Sequence, residues 1–197
     1  KIPATMFLRA LGYSTDFELL SMYVEIEEVK ITKKTPKKSL VTRILVKDVL
    51  KPDAEVLLED GEENYPPTAV AYRAGTEISN EIYETLLEKH SGQSVMVVPR
   101  ENPYVQYLCA TLLKDPTKDK QMALMEIYQR LRPGDPPSIK NSQALLDNMF
   151  FRSHRYDLTP VGRFRMNRKL GLDLPDDLTT LTREDIIEVV RYLMDLC

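Results

Sequence analysis

The apolar pattern of this 197-residue chain changes period twice, and that double change limits the possible folds more than any other feature. Behind Pro3, Met6, Phe7, Ala10 and Leu11 recur at helical spacing until Gly12 interrupts them. Thr15, with Glu18 three residues on, reads as a capping box that opens a second short helix through about Tyr23. From Val24 to Pro99 the texture becomes that of strands. Ile44 to Val46, Val70 to Tyr72 and Val95 to Val98 are short apolar runs bounded by Gly, Pro and Asn. One helix interrupts them, Asn80 to Lys89, with Ile82, Leu86 and Leu87 on one side. After Asp115 the helical period returns. A chain that leaves one texture and comes back to it predicts an α+β fold: a discontinuous, mainly helical domain from residues 1–24 and 100–197, and an inserted β-rich module from residues 25–99.

The returning part divides at its turn residues. Pro116 opens a helix whose apolar stripe includes Met122, Met125, Tyr128 and Leu131, and Arg132-Pro-Gly-Asp-Pro-Pro137 ends it. Ser138 caps the next helix, with Ile139, Leu145 and Met149 facing inward. Thr159 and Pro160 supply the cap and first-turn proline of a third, which Gly171 closes. Thr182 caps the last, with Glu184 and Asp185 in its first turn and Leu181 and Ile186 placed as a hydrophobic staple.

Charge is distributed unevenly. Lys140 to Lys169 carries seven Lys or Arg against two Asp, a balance of +5, whereas Leu170 to Cys197 carries −5, in a chain whose total is −3. A basic segment on an acidic chain guides a polyanion to one surface while the rest repels it; a solvated helix face is the competing reading. Arg165, Arg168 and Lys169 fall three and four apart, which puts them on one helical face. Arg152 and Arg155 divide between polyanion contact and pairing with Asp147 and Asp157. Lys30, Lys33, Lys34, Lys37 and Lys38, around Pro36, read as an exposed mobile loop, with nucleic-acid contact as the alternative.

Several chemistries lack their residues. There is no Gly-x-x-x-x-Gly-Lys loop and no Asp-rich triplet, and His90 and His154 have no second ligand at metal spacing. Cys109 and Cys197 are far apart and read as reduced thiols. Asp176 and Asp177 follow Pro175 in a connecting loop, where solvation accounts for them. Phe150, Phe151 and Tyr156 end an amphipathic helix, which favours core packing over base stacking. No apolar run approaches the roughly 20 residues of a membrane span, and the expected location is the cytosol. The chain opens in mid-motif and closes inside an apparent helix, so it reads as a piece of something longer.

Arg132 to Phe151, followed by Arg155-Tyr-Asp-Leu-Thr-Pro-Val-Gly-Arg-Phe-Arg-Met-Asn-Arg-Lys-Leu170, resembles the lobe of the bacterial RNA polymerase β subunit. Further blocks follow the family's order: Lys1-Ile-Pro-Ala-Thr-Met-Phe-Leu-Arg-Ala-Leu-Gly-Tyr13, Lys114-Asp-Pro-Thr-Lys-Asp119 running into Glu126-Ile-Tyr128, and Leu181-Thr-Arg-Glu-Asp-Ile-Ile187. The middle is similar to the family's external 1 domain, best over Glu63 to Arg73, Gly75 to Ile78 and the Asn80 helix.

The resemblance implies a fragment forming one wall of the DNA cleft, facing downstream DNA, the non-template strand and the σ factor. The β′ and α subunits would be its other partners, and its location the cytoplasm beside the nucleoid. It implies that nucleotidyl transfer occurs at a Mg²⁺ site elsewhere in the parent polymerase, so the fragment is expected to be non-catalytic and to hold no cofactor. Arg163 stands where the family's Val-Gly-Arg arginine contacts non-template DNA, and Arg165, Arg168 and Lys169 are expected beside it on the DNA-binding surface. Lys140 lies near a family DNA-contact position that Ile139 itself competes to occupy. Gly162 either admits a phosphate or serves helix packing. A stand-alone regulatory domain docking on a transcription complex is the alternative function.

Overall fold

In the computed structural model, which describes residues 1–54 and 68–197, helix α1 (Ala4–Leu11) starts behind Pro3 and stops at Gly12. The φ of 119° at Gly12 suits glycine alone, and its N–H returns to the Leu8 and Arg9 carbonyls. Helix α2 (Asp16–Ser21) follows, with both hydrogen bonds of the Thr15–Glu18 capping box formed. Then come β1 (Glu27–Lys30), a 3₁₀ turn at Lys37–Ser39, β2 (Arg43–Leu45), β3 (Val49–Leu50), β4 (Val70–Tyr72), α3 (Asn80–Lys89) and β5 (Ser94–Pro99). Five more helices complete the chain: α4 (Pro103–Leu112), α5 (Lys120–Leu131), α6 (Ile139–Phe150), α7 (Thr159–Leu170) and α8 (Arg183–Asp195). None of the helices among the described residues is long and apolar enough to cross a membrane.

These elements form two compact units, one from Lys1–Ser14 with Leu113–Cys197, the other from Thr15–Leu112. The class is α+β. In the inserted unit, β5 is the centre of an antiparallel sheet of order β1-β5-β2, and β3 pairs with β4 alone. Its core joins Ile31, Leu40, Leu45, Ile78, Leu86 and Val97, all fully buried. Burying one such side chain stabilises by roughly 1.5–3 kcal/mol. The sequence Glu-Glu-Val-Lys of β1 lacks an apolar run, so the strand is invisible to hydropathy. It forms because an edge strand needs only one paired side, and its charges keep the open side from pairing further.

In the discontinuous unit, α5 packs against both α1 and α6, and α8 packs against α7 and α1. Thr5 and Arg9, on α1, both reach Asp115 at the point where the chain returns. Thr5 Oγ1 donates to Asp115 Oδ2 at 2.8 Å and Arg9 Nε at 3.4 Å, while the Thr117 N–H and hydroxyl donate to Oδ1 at 2.9 and 2.6 Å. The Arg9 guanidinium also donates to the Ser14 and Lys118 carbonyls. Burial alone raises the Asp115 carboxyl, but the hydrogen bonds from Thr117 and Thr5 and the Arg9 charge outweigh it, so its pKa lies below the ordinary carboxylate value.

Several expectations need correction. The division falls at Ser14/Thr15 and Leu112/Leu113, so α2 and α4 belong to the inserted unit, where they pack on each other. Helix α5 starts at Lys120 behind the Asp119 cap, because Asp115, Pro116 and Thr117 form a turn instead. Its buried face is Ala123, Leu124, Ile127 and Tyr128, leaving Met122 and Leu131 exposed, so there is no methionine core stripe. In α6, Ser142 and Leu146 are buried while Ile139 and Met149 are exposed. Of the external 1 resemblance, the stretch before Thr68 lies outside the described residues.

Two outcomes follow. Because one guanidinium touches both Ser14 and Asp115, a short Gly/Ser linker replacing Thr15–Leu112 should leave the remaining helices folded and cooperative; a melt without a cooperative transition by circular dichroism would refute this. Asp115 binds its proton less readily folded than unfolded, so it contributes stability above about pH 4 that is lost as the pH falls through its lowered folded pKa. Asp115→Asn should be less stable at neutral pH and lose less stability on acidification below about pH 4, as read from urea midpoints across pH.

Candidate nucleic-acid interface

Helix α7 carries its polarity inside out. Its buried residues are Arg163 and Asn167, whereas Val161 is 63% and Phe164 54% exposed, alongside exposed Arg165, Arg168 and Lys169. Local chemistry sets both ends. Asp157 Oδ1 accepts the Thr159 N–H at 2.8 Å, Pro160 fits the first turn, and Gly171, at φ 70°, closes the helix. A Cβ on Gly162 would lie 3.1 Å from Leu158 Cγ, so that glycine serves close packing within the helix start.

Burying an arginine is tolerable only if its donors are met, and Arg163 meets that condition. Its Nη1 lies 2.5 Å from Asp185 Oδ1, its Nε donates to the Leu178 carbonyl at 2.8 Å, and its Nη2 donates to the Thr180 carbonyl. The other Asp185 oxygen accepts the Thr182 N–H at 2.7 Å and the Thr182 hydroxyl at 3.0 Å, and the Asp185 N–H returns to Thr182 Oγ1. One carboxylate is therefore both the capping-box acid of α8 and the counterion of α7. Asn167 completes the seam: its side-chain Nδ2 donates to the Leu174 carbonyl at 2.6 Å, and its backbone carbonyl accepts the Leu172 N–H.

The sequence expectation for Arg163 as a solvent-facing DNA contact is therefore displaced: its side chain is 0% exposed. Arg165, Arg168 and Lys169 remain on the outward side, with Lys169 Nζ 4.9 Å from the Tyr192 ring centroid on α8. Of these only Arg168 borders an open cleft of about 480 Å³, whose other walls include Phe164, Asn167, Leu172, Asp173 and Asp176. Lys140 is exposed in the first turn of a different helix, α6. Arg152 and Arg155 are exposed, and among the described residues neither forms the expected ion pair: Asp147 accepts from Gln143 and Asp157 from Thr159.

The aromatic residues form a packed cluster. Phe150 meets Phe7 edge-on at 5.5 Å between centroids, with Phe151 and Tyr156 at 6.1 and 6.5 Å. His90 is buried, with Nδ1 3.0 Å from Gln93 Oε1, and His154 is exposed. Both cysteines are free thiols, and burial, then the Asp16 charge, pushes that of Cys109 upward. The Arg163–Asp185 pair escaped the sequence reading because partners 22 residues apart follow no helical or strand period. The available signal was an arginine on the side of the helix opposite its exposed cations.

The family model described as RNA polymerase Rpb2, domain 2, matches residues 78–197. Along its whole length the chain is similar to proteins named DNA-directed RNA polymerase subunit beta: 38% identical to that of Syntrophotalea carbinolica, 37% to that of Rhodopirellula baltica and 32% to that of Flavobacterium johnsoniae. It spans 17%, 15% and 16% of these proteins respectively.

Arg163→Ala should destabilise the chain by about 3–5 kcal/mol, because it leaves the Asp185 charge buried without its partner. Arg165→Ala, at an exposed position, should leave the urea midpoint close to the parent. Equal midpoints for the two variants would refute the structural role of Arg163.

Proposed function

Because the chain belongs to the family of RNA polymerase Rpb2, domain 2, and aligns throughout with bacterial β subunits, we propose that it forms a wall of the DNA cleft in a DNA-directed RNA polymerase. Its partners on this reading are downstream DNA and the non-template strand, the β′ and α subunits, and σ, in the cytoplasm at the nucleoid. The observation that carries the reading is the inside-out α7. It keeps Arg165, Arg168 and Lys169 outward while Arg163 is tied to the loop before α8.

A cleft wall must hold DNA of any sequence and release it at each translocation step. Exposed cations on phosphates do this: they gain affinity by releasing counterions, carry no base information, and are weak singly. Lys140 adds a further exposed charge at the start of α6. Arg163 acts as a positioning residue that fixes the α7 backbone, on which the contacting side chains stand. Nucleotidyl transfer and its Mg²⁺ belong, on this reading, to other parts of the assembly. Among the described residues, no three His, Cys, Asp or Glu gather closely enough to hold a metal ion.

The test belongs in the assembled polymerase. Arg165→Glu/Arg168→Glu should shorten open-complex lifetime and lower the salt slope of DNA binding by roughly 0.9 for each phosphate no longer neutralised, without changing sequence preference. Lifetimes and slopes equal to the parent's would remove α7 from the DNA path.

A further inference from the structure

We infer that the lysine loop of the inserted unit is a second phosphodiester-contacting surface, separate from α7. The inference rests on the cleft-wall reading only for its choice of duplex DNA as ligand. Between Lys30 and Lys47 the chain has seven Lys or Arg and no Asp or Glu, so the remainder of a chain of net charge −3 carries −10. An excess of this size over 18 residues is a local field of one sign.

The loop is built rather than loose, contrary to the mobile loop expected from sequence. Ile31 and Leu40 anchor its two ends in the core of the inserted unit. Between them Thr35 is buried: its Oγ1 accepts the Thr32 N–H at 2.8 Å and lies 3.0 Å from the Lys30 carbonyl, to which it donates. The Tyr83 hydroxyl, from α3, donates to the Thr35 carbonyl at 2.8 Å. The apolar side chains and the threonine thus hold the backbone, while Lys30, Lys33, Lys34, Lys37 and Lys38 are exposed. Presenting charges on a fixed backbone reduces the ordering cost of binding. Among the described residues no ion pair engages any of these five lysines, whereas Arg43 lies 2.6 Å from Glu27 and Lys47 stacks over Phe17. Lys37, Lys38, Thr42 and Arg43, with Val41, Pro99 and Glu101, border an open concavity of about 550 Å³, ample for a phosphate and its sugar.

The class of ligand follows from what the surface lacks. A protein partner of useful affinity needs an aromatic or aliphatic anchor, and a membrane surface needs apolar residues to insert. Of the large hydrophobic residues of the loop, Ile31, Leu40, Leu45 and Val46 are buried and Val41 and Ile44 half-buried, and the fully exposed ones among the described residues lie elsewhere. Lysines without such anchors act as mobile point charges suited to many weak backbone contacts.

Fluorescence anisotropy of the 197-residue chain on a labelled duplex of about 25 base pairs, from roughly 20 to 200 mM salt, tests this. Lys33→Glu/Lys34→Glu/Lys37→Glu/Lys38→Glu should weaken binding at least ~10-fold at low salt and flatten the salt slope. Replacing the same four lysines with arginine should retain binding, and circular dichroism should show all variants melting with the parent. Arg165→Glu/Arg168→Glu should leave the loop's contribution intact, which separates failure of this surface from failure of α7. Unchanged affinity in the four-glutamate variant, or no duplex binding by the parent chain, would overturn the inference. Tighter binding of a poly-glutamate peptide or of phosphatidylserine vesicles than of the duplex would overturn it as well.

Discussion

The two sequence-distant parts of the discontinuous unit are joined at one buried carboxylate. Asp115 receives Thr5 and Arg9 from α1 and Thr117 from its own turn, and Arg9 reaches on to the last carbonyl before the chain departs. This cluster ties the residue at which the chain leaves the unit to the turn by which it returns. A buried pair of this kind adds little over an apolar replacement, but losing one partner costs about 3–5 kcal/mol because the other is left charged and dry. Its value lies in geometry: it fixes where two distant parts of the chain meet, and α1, α5 and α8 assemble on that junction.

The same device recurs at α7. There the buried cation faces three acceptors on the segment that leads into α8, and the surface charges are carried on the helix so held. Position and contact are divided between residues of the same type: Arg163 places the helix, and Arg165 and Arg168 face outward.

Local signals were legible because they are local. The Thr15 capping box, the Ser138 and Thr182 caps and the Gly171 terminus depend on neighbours within four residues, and each formed as read. Faces were harder. Hydropathy places Met122 and Leu131 inside, but on α5 they stand away from the neighbouring helices, and the smaller Ala123 with Leu124 fills the contact. The polar β1 and the helix α4 were missed, the first because an edge strand needs no apolar run. Of the candidate site, the outward cations were readable from spacing. The burial of Arg163 was not, since it depends on an acid whose proximity only the tertiary fold creates.

The discontinuity also has a temporal side. During synthesis, α1 precedes α5, the helix it packs on, by the whole of residues 15–112. At roughly 5–20 residues per second that interval lasts several seconds or more, long compared with the microseconds in which a helix or hairpin forms. The inserted unit therefore has time to fold before α1 can meet α5. The order of emergence lets the middle of this stretch take shape before the α1–α5 contact forms.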